Sequence, residues 1–217
     1  MTPLISVVIP TRRHELVTVT LDSLMQQTCQ DLEVHVVVDH DGRGAPWARN
    51  QGARRAAGRY LLFSDSDIAW VPTALEDMLA ALRAANPDDG IVVDDDRLAV
   101  GYAYGAYRMG GSVYCLQPWD LKRLYGGNYI STMSLIDRRV TSGSRYGRDE
   151  PAEWFDESLS RLQDWDLWLS LACIGVKGVD VPRVLFETAV RDGLSFGVGA
   201  LGWDAAFRAV RRKHRLE

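Results

Sequence analysis

The chain has 217 residues, a formal net charge of −4, and 47% hydrophobic and 25% charged residues. This composition is typical of a globular protein and excludes the disordered and collagenous classes. The acidic balance argues against nucleic acid as a partner, and the longest apolar runs are far shorter than the ~20 residues of a membrane helix. The three cysteines form no CxxC pair, which indicates neither a zinc site nor a disulfide framework, and we expect a cytoplasmic protein.

Three alternating strand and helix units are predicted in the first third of the chain. Runs rich in β-branched residues predict strands at 5–9, 34–38 and 59–63. Helical patterns follow at 16–27, 46–57 and 72–85. Because the strands are almost continuously apolar, we expect an α/β fold whose central sheet is mostly parallel and is flanked by helices.

Polar residues stand where these predicted strands end, namely Thr11, Asp39, Asp65 and Asp67. In open parallel sheets, ligands bind outside the carboxyl ends of the strands. Two carboxylates at alternate positions, Asp65 and Asp67, can hold a hard divalent cation and leave coordination positions for phosphate oxygens. A surface turn or a helix N-cap is the plainer alternative for such a pair.

The rest of the chain is less regular and then becomes helical again. From about residue 90 to residue 147, aromatic residues are scattered among glycines, with strand-like pieces at 91–93 and 133–136. Helices are predicted at 164–174 and 203–215. Because no linker separates these parts, we expect a single domain over 1–217. The basic end of the last helix is either a solvated face or a peripheral contact with an anionic membrane.

Two carboxylates flank Trp165 at the start of the predicted helix, namely Asp164 and Asp166. One interpretation is an N-cap and a first-turn carboxylate that the helix dipole favours. The other is that one carboxylate faces a cleft as a general base, its basicity tuned by partial desolvation. Trp165 and Trp119 are either core residues or a wall on which a sugar stacks.

An ordered set of motifs along residues 6–187 carries a family resemblance. The first part runs from Ser-Val-Val-Ile-Pro-Thr at 6–11, through Asp39 and Arg49, to the segment 58–67. The second part is Gly-Asn-Tyr-Ile at 127–130, Phe-Asp-Glu-Ser-Leu at 155–159 and Gln-Asp-Trp-Asp-Leu-Trp-Leu at 163–169. In order and spacing this set resembles the family 2 glycosyltransferases, which have the Rossmann-like GT-A fold with a smaller mixed region on the acceptor side.

The resemblance implies a donor site made by residues of the first part. Thr11 and Asp39 match positions that contact the nucleoside base, and Arg49 matches a position near the base or the diphosphate. Asp65 matches the first acid of the DxD motif, beside the ribose and the metal, and Asp67 matches the acid that ligates Mn²⁺ or Mg²⁺. The donor half would span about 1–90.

The resemblance also implies an acceptor half over about 91–190, followed by a loop and helix at 191–217. Asp164 matches the catalytic base, and Asn128, Trp165 and Asp166 fall on the acceptor side. The implied reaction is inverting and metal-dependent, and moves a sugar from a UDP-, dTDP- or GDP-linked donor to a hydroxyl acceptor. That acceptor would be a glycan, a lipid-linked glycan or another molecule.

The chain departs from the family pattern at several positions. Arg-Arg replaces the usual Tyr-Asn after Thr11, and one extra residue leaves it open whether Asp39 or Asp41 meets the base, with strand position favouring Asp39. Gln163 stands where glutamate is common. The usual metal-binding histidine near the C-terminus has no clear match, and Arg191 in that neighbourhood is a candidate contact for the diphosphate.

Two other functions stay open at this point. A nucleotidyltransferase would share a nucleotide-binding α/β architecture, but the segment 10–13 lacks the glycines of its phosphate loop. A nucleotide- or sugar-binding domain without turnover is favoured slightly by Gln163, whereas the retained Asp65, Asp67 and Asp164 argue against it.

Overall fold

The structure is a computed structural model that describes residues 2–13, 17–87, 98–115, 117–141, 153–189 and 202–216. The predicted strand at 91–93 and the candidate Arg191 lie outside these residues. Across the described ranges, no helix is long and apolar enough to cross a membrane.

Strands and helices alternate in the first third of the chain as the sequence predicts, except that a short strand at Ile68–Trp70, which is not predicted, directly follows the third strand. The eight strands within the described residues are β1 Ile5–Thr11, β2 Leu32–Val38, β3 Tyr60–Phe63, β4 Ile68–Trp70, β5 Ala99–Met109, β6 Ser112–Tyr114, β7 Leu135–Asp137 and β8 Val176–Thr188. The helices in the same part of the chain are α1 Thr18–Met25, α2 Ala45–Arg55, α3 Ala74–Ala85, α4 Leu121–Gly126, α5 Gln163–Cys173 and α6 Trp203–Lys213.

All eight strands belong to one sheet, in the order β2-β1-β3-β7-β5-β8-β4, with β6 paired to β5. β1 is parallel to both β2 and β3, and β5 is parallel to β8. β7 is antiparallel to its two neighbours, β3 and β5. Consequently β1, β2, β3, β5 and β8 run in one direction, and their carboxyl ends lie along one edge of the sheet.

The two faces of the sheet bury two hydrophobic clusters. Alternate residues of one strand point to opposite faces, so Val8 of β1 belongs to one cluster and Val7 to the other. β7 divides in the same way between Ile136 and Leu135, and all four side chains are fully buried. The helices cover both faces, as expected for a sheet whose first strands are almost continuously apolar.

One glycine allows α2 to lie directly on β1. A Cβ at Gly52 would come within 2.2 Å of Cγ1 of Val8, which is far inside van der Waals contact. This close approach places the preceding turn of α2, with Arg49 and Asn50, over the carboxyl half of the sheet. Both of these polar residues are buried, at 7% and 2% exposure.

Two long strands carry no clear strand pattern in the sequence. β5 and β8 make up the centre of the second half, where we expect only short strand-like pieces. β5 contains Gly101 and Gly105 among tyrosines and alanines, and β8 contains Gly178 and Pro182. Residues of low strand propensity weaken the pattern, but glycine is required at Gly101 because a Cβ there would lie 2.4 Å from Val176.

Candidate active site

The carboxyl ends of β1 and β2 carry Thr11 and Asp39 side by side. The backbone N–H of Asp39 donates to the carbonyl oxygen of Thr11 at 2.8 Å. The Asp39 carboxylate accepts hydrogen bonds from the backbone N–H groups of Arg43 and Gly44, at 2.9 and 2.7 Å. Asp39 therefore closes the loop that leads into α2, and Gly44 takes up the positive φ of 102° that this loop needs.

Asp41, the alternative to Asp39, is exposed on this loop. Asp39 is only 6% exposed, and each of its oxygens already has a backbone donor. The structure shows that Asp39 holds the shape of this loop. A contact from Asp39 to a nucleoside base would use the remaining acceptor capacity of the same two oxygens.

Arg49 links the end of β3 to the start of α5. Its Nη2 donates to Oδ1 of Asp65 at 2.7 Å, and its Nη1 donates to Oε1 of Gln163 at 2.9 Å. The guanidinium lies 5.2 Å from the ring centroid of Phe155. Only 8% of the Arg49 side chain is exposed. Its charge therefore interacts with Asp65 and Gln163 in surroundings of low effective dielectric constant.

A cavity of about 490 Å³ lies at the same edge of the sheet. It brings together three carboxylates and an amide that the sequence motifs single out, namely Asp65, Asp67, Asn128 and Asp164. The ends of β5 and β8 add further wall residues that no motif indicates: Tyr107, Met109, Phe186 and Thr188. Tyr107 is held between Tyr114 and Phe186, whose rings stack on it at 5.3 and 5.1 Å.

Asp164 lies in the first turn of α5, half-buried at the cavity wall. Its Oδ2 accepts a hydrogen bond from Nδ2 of Asn128 at 2.8 Å, and its Oδ1 accepts from the backbone N–H of Trp165 at 2.9 Å. Burial raises the pKa of the Asp164 carboxyl, against the lowering effects of the Trp165 N–H and the Arg49 charge. A carboxylate with a raised pKa, fixed orientation and access to a cavity is suited to accept a proton.

Two predicted acceptor-side residues are not at this cavity. Trp165 is fully buried, donates from Nε1 to the carbonyl oxygen of Leu124 at 2.7 Å and stacks on Phe207 of α6. Asp166 is 2% exposed and pairs with the end of α6. For Asp166 the reason is helix geometry, since residues two apart on an α-helix point about 200° from each other and Asp164 faces the cavity. Trp119 likewise donates to the Tyr102 hydroxyl instead of lining the cavity.

The residues present fit a divalent cation in part. Asp65 and Asp67 offer hard oxygen ligands on one cavity wall, and Asp65 has one oxygen engaged by Arg49. Within the described ranges, no three His, Cys, Asp or Glu side chains come together as a metal site. Two carboxylates of this kind would leave coordination positions to phosphate oxygens and water.

The chain is similar to known glycosyltransferases in both sequence and structure. Residues 38–142 match the family model described as glycosyl transferase family 2. This match covers slightly less than half of the chain, which is similar to glycosyltransferase family 2 over that range. The matched region contains the DxD pair and Asn128, whereas Asp164 lies beyond it. A curated protein, the putative teichuronic acid biosynthesis glycosyltransferase TuaG of Bacillus subtilis, is 43% identical over 60 residues, which are 28% of this chain and 24% of TuaG.

Solved structures show that the chain has the GT-A fold. S. aureus TarS, in complex with UDP-GlcNAc, superposes with a TM-score of 0.68 at 16% identity, covering 97% of this chain and 65% of that one. The mannosyltransferase PcManGT of Pyrobaculum calidifontis, in complex with GDP-Man and Mn²⁺, gives a TM-score of 0.56 at 19% identity, covering 99% and 62%. The chain thus spans less than two thirds of the length of these relatives.

Proposed function

We propose that this domain transfers a sugar from a nucleoside-diphosphate sugar to a hydroxyl group of an acceptor, with inversion at the anomeric carbon. The observation that carries the proposal is the single cavity shared by Asp65, Asp67 and Asp164 at the carboxyl edge of the sheet. The match of residues 38–142 to the family 2 model and the nucleotide sugars bound by TarS and PcManGT support it. We further propose that the described residues fold as one domain, because β7 joins the strands of both halves.

In the proposed reaction, Asp164 accepts the proton of the acceptor hydroxyl. The acceptor oxygen then forms a bond to the anomeric carbon while the bond from that carbon to the diphosphate oxygen breaks, and the nucleoside diphosphate leaves with the electron pair. Attack on the face opposite the leaving group inverts the anomeric centre. Asn128 holds one oxygen of Asp164 and so directs the carboxylate into the cavity.

On the donor side, Asp65 and Asp67 would hold Mn²⁺ or Mg²⁺, which supplies positive charge that stabilises the departing diphosphate. Arg49 keeps Asp65 in place and adds a fixed buried charge next to it. Thr11 and Asp39, at the ends of β1 and β2, would lie beside the nucleoside. Mn²⁺ in the PcManGT complex supports the choice of a divalent cation.

Calorimetric titration of UDP, GDP, dTDP and CDP into the protein, each with Mn²⁺ and again with EDTA, tests the donor site. We expect one diphosphate to bind only with the metal and Asp67→Ala to lose that binding. Binding of no diphosphate in either condition would contradict the donor site.

Transfer itself is tested with Asp164→Asn, using the diphosphate-sugar that titration selects and a panel of hydroxyl acceptors. We expect diphosphate binding to stay within twofold and turnover to fall by about 10²- to 10⁴-fold, the usual contribution of a general base. A wild-type protein that binds the diphosphate but transfers no sugar would instead indicate a nucleotide-binding domain without turnover.

A further inference from the structure

The C-terminal end of α6 is hydrogen-bonded to α5, the helix that carries Asp164. Nζ of Lys213 lies 2.8 Å from Oδ2 of Asp166, and Nε2 of His214 lies 2.8 Å from Oδ1 of the same carboxylate. The Asp166 side chain is 3% exposed and that of His214 is 7% exposed. Both oxygens of a buried carboxylate are therefore held by two consecutive residues almost fifty positions further along the chain.

Lys213 also reaches a second carboxylate. Its Nζ lies 2.8 Å from Oδ2 of Asp156, in the turn that precedes α5. Burial acts to lower the pKa of Lys213, but its hydrogen bonds to Asp156 and Asp166 outweigh burial and raise it. The pKa of Asp156 is lowered to about 2, because hydrogen bonds from Lys213 and Ser158 outweigh its desolvation. Lys213 is therefore charged at neutral pH and bridges two anions.

The turn that Lys213 holds is in contact with the donor side of the site. The carbonyl oxygen of Phe155 and Oε1 of Glu157 both accept from Nδ2 of Asn50, at 2.9 and 3.0 Å. Asn50 is next to Arg49, whose guanidinium lies over the Phe155 ring. One ammonium group thus connects α6, the turn before α5, and through that turn the middle of α2.

The first turn of α5 has little local support of its own. Leu162 at the N-cap adopts a left-handed conformation with φ 57° and makes no side-chain capping bond. Asp164 and Asp166 are two residues apart, so the first faces the cavity when the second faces α6. Fixing Asp166 therefore fixes the rotation of this turn and, with it, the direction of the Asp164 carboxylate.

We propose that Lys213 and His214 are positioning residues for the transfer reaction, which orient the Asp164 carboxylate toward the acceptor by holding Asp166 from behind. The proposal rests on the function proposed above, in which Asp164 accepts the proton. The proposal assigns this role to Lys213 and His214 at the basic end of α6. It assigns no role to Arg208 and Arg212, which are exposed on the same helix.

The test compares Lys213→Met and His214→Ala with two conservative variants, Lys213→Arg and His214→Gln, and with Arg212→Met as the matched control. We expect the first two to lower kcat at least tenfold while Mn²⁺-dependent diphosphate binding stays within twofold. Each conservative variant keeps a donor near Asp166 and should recover most of the loss. The control should match the wild-type protein. Thermal melts and circular dichroism identify the folded fraction to which each rate is referred.

A second readout does not depend on turnover. The carbon-13 resonance of the Asp164 carboxyl, assigned through Asp164→Asn, is titrated with pH in each protein. We expect its midpoint to move by more than half a pH unit in Lys213→Met and to stay in place in Arg212→Met. A fall in thermal stability with an unchanged kcat and an unchanged midpoint would overturn the proposal. If the wild-type protein transfers no sugar, the proposed function fails, and the midpoints still decide whether Lys213 positions Asp164.

Discussion

At the scale of single residues, the chemistry of the cavity depends on how charge is balanced around Asp164. Burial raises the pKa of this carboxyl above the ordinary value of about 3.9, and the Arg49 guanidinium opposes that shift. A raised pKa means that more of the carboxyl is protonated at a given acidic pH. Because only the ionised form accepts a proton, kcat should rise with pH through the pKa of Asp164.

Removing the Arg49 charge should therefore move the acid limb of the rate profile to higher pH. Arg49→Met keeps the length of the side chain and removes the cation that lowers the pKa of Asp164. The measurement is the pH dependence of kcat at saturating donor, so that weaker donor binding does not enter. Arg43→Met is the control, since Arg43 is an exposed neighbour that contacts Trp47. An acid limb that stays in place in Arg49→Met would show that Asp164 does not set it.

Asn128, which is uncharged, orients the Asp164 carboxylate through a hydrogen bond. Its Nδ2 donates to Oδ2 of Asp164, and its Oδ1 accepts from the backbone N–H of Ile130 at 3.1 Å, so the amide is held at both ends. A hydrogen bond to a charged group contributes roughly 1.5–3 kcal/mol, and we expect Asn128→Ala to lower kcat by about tenfold. In an Asp164→Asn background the same change should have no further effect. Additive losses in the double variant would place Asn128 in a separate role.

At the scale of elements, the close contact between α2 and β1 fixes where Arg49 and Asn50 stand. Gly52→Ala would place a methyl group 2.2 Å from Val8, and the overpacking should lower the free energy of unfolding by ~1–3 kcal/mol. Gly126→Ala in α4 is the control, because a Cβ there meets nothing within 4 Å. Chemical denaturation measures both. Val8→Ala combined with Gly52→Ala should recover part of the loss, and a tolerated single Gly52→Ala would show that α2 shifts freely on the sheet.

The sequence predicts these elements to the extent that each carries its own pattern. β1, β2 and β3 are apolar runs, and the polar residues that follow β3 mark Asp65 and Asp67 as site candidates from the sequence alone. β5 and β8 lack such runs because close packing requires glycine and small residues there, so the cavity wall that they supply has no signal in the sequence. The helical period could have separated Asp164 from Asp166, since two residues are more than half a turn. The partners of Asp166 could not be predicted, because nothing local pairs α5 with α6.

At the scale of the whole molecule, β7 joins the strands of the two halves in one sheet. This three-residue strand lies between β3 and β5, with Leu135 in the cluster on one face and Ile136 in the cluster on the other. Both side chains are fully buried. Loss of packing on either face should therefore weaken the pairing that holds β1, β2 and β3 to β5 and β8.

Ile136→Ala tests this by amide hydrogen exchange. Truncating a buried isoleucine lowers the free energy of unfolding by about 2–5 kcal/mol. In a single cooperative unit, this whole loss lowers the exchange protection of every strand that opens only on global unfolding. We expect the hydrogen-exchange protection of the amides in β1 and in β8 to fall by the same factor, although neither strand is paired with β7, which carries Ile136. Val19→Ala, at an exposed site on α1, should leave both unchanged. Loss of protection confined to β5 and β8 would mean that the halves unfold separately, so that Asp65 and Asp164 are held in one cavity by a docking interface rather than by a shared core.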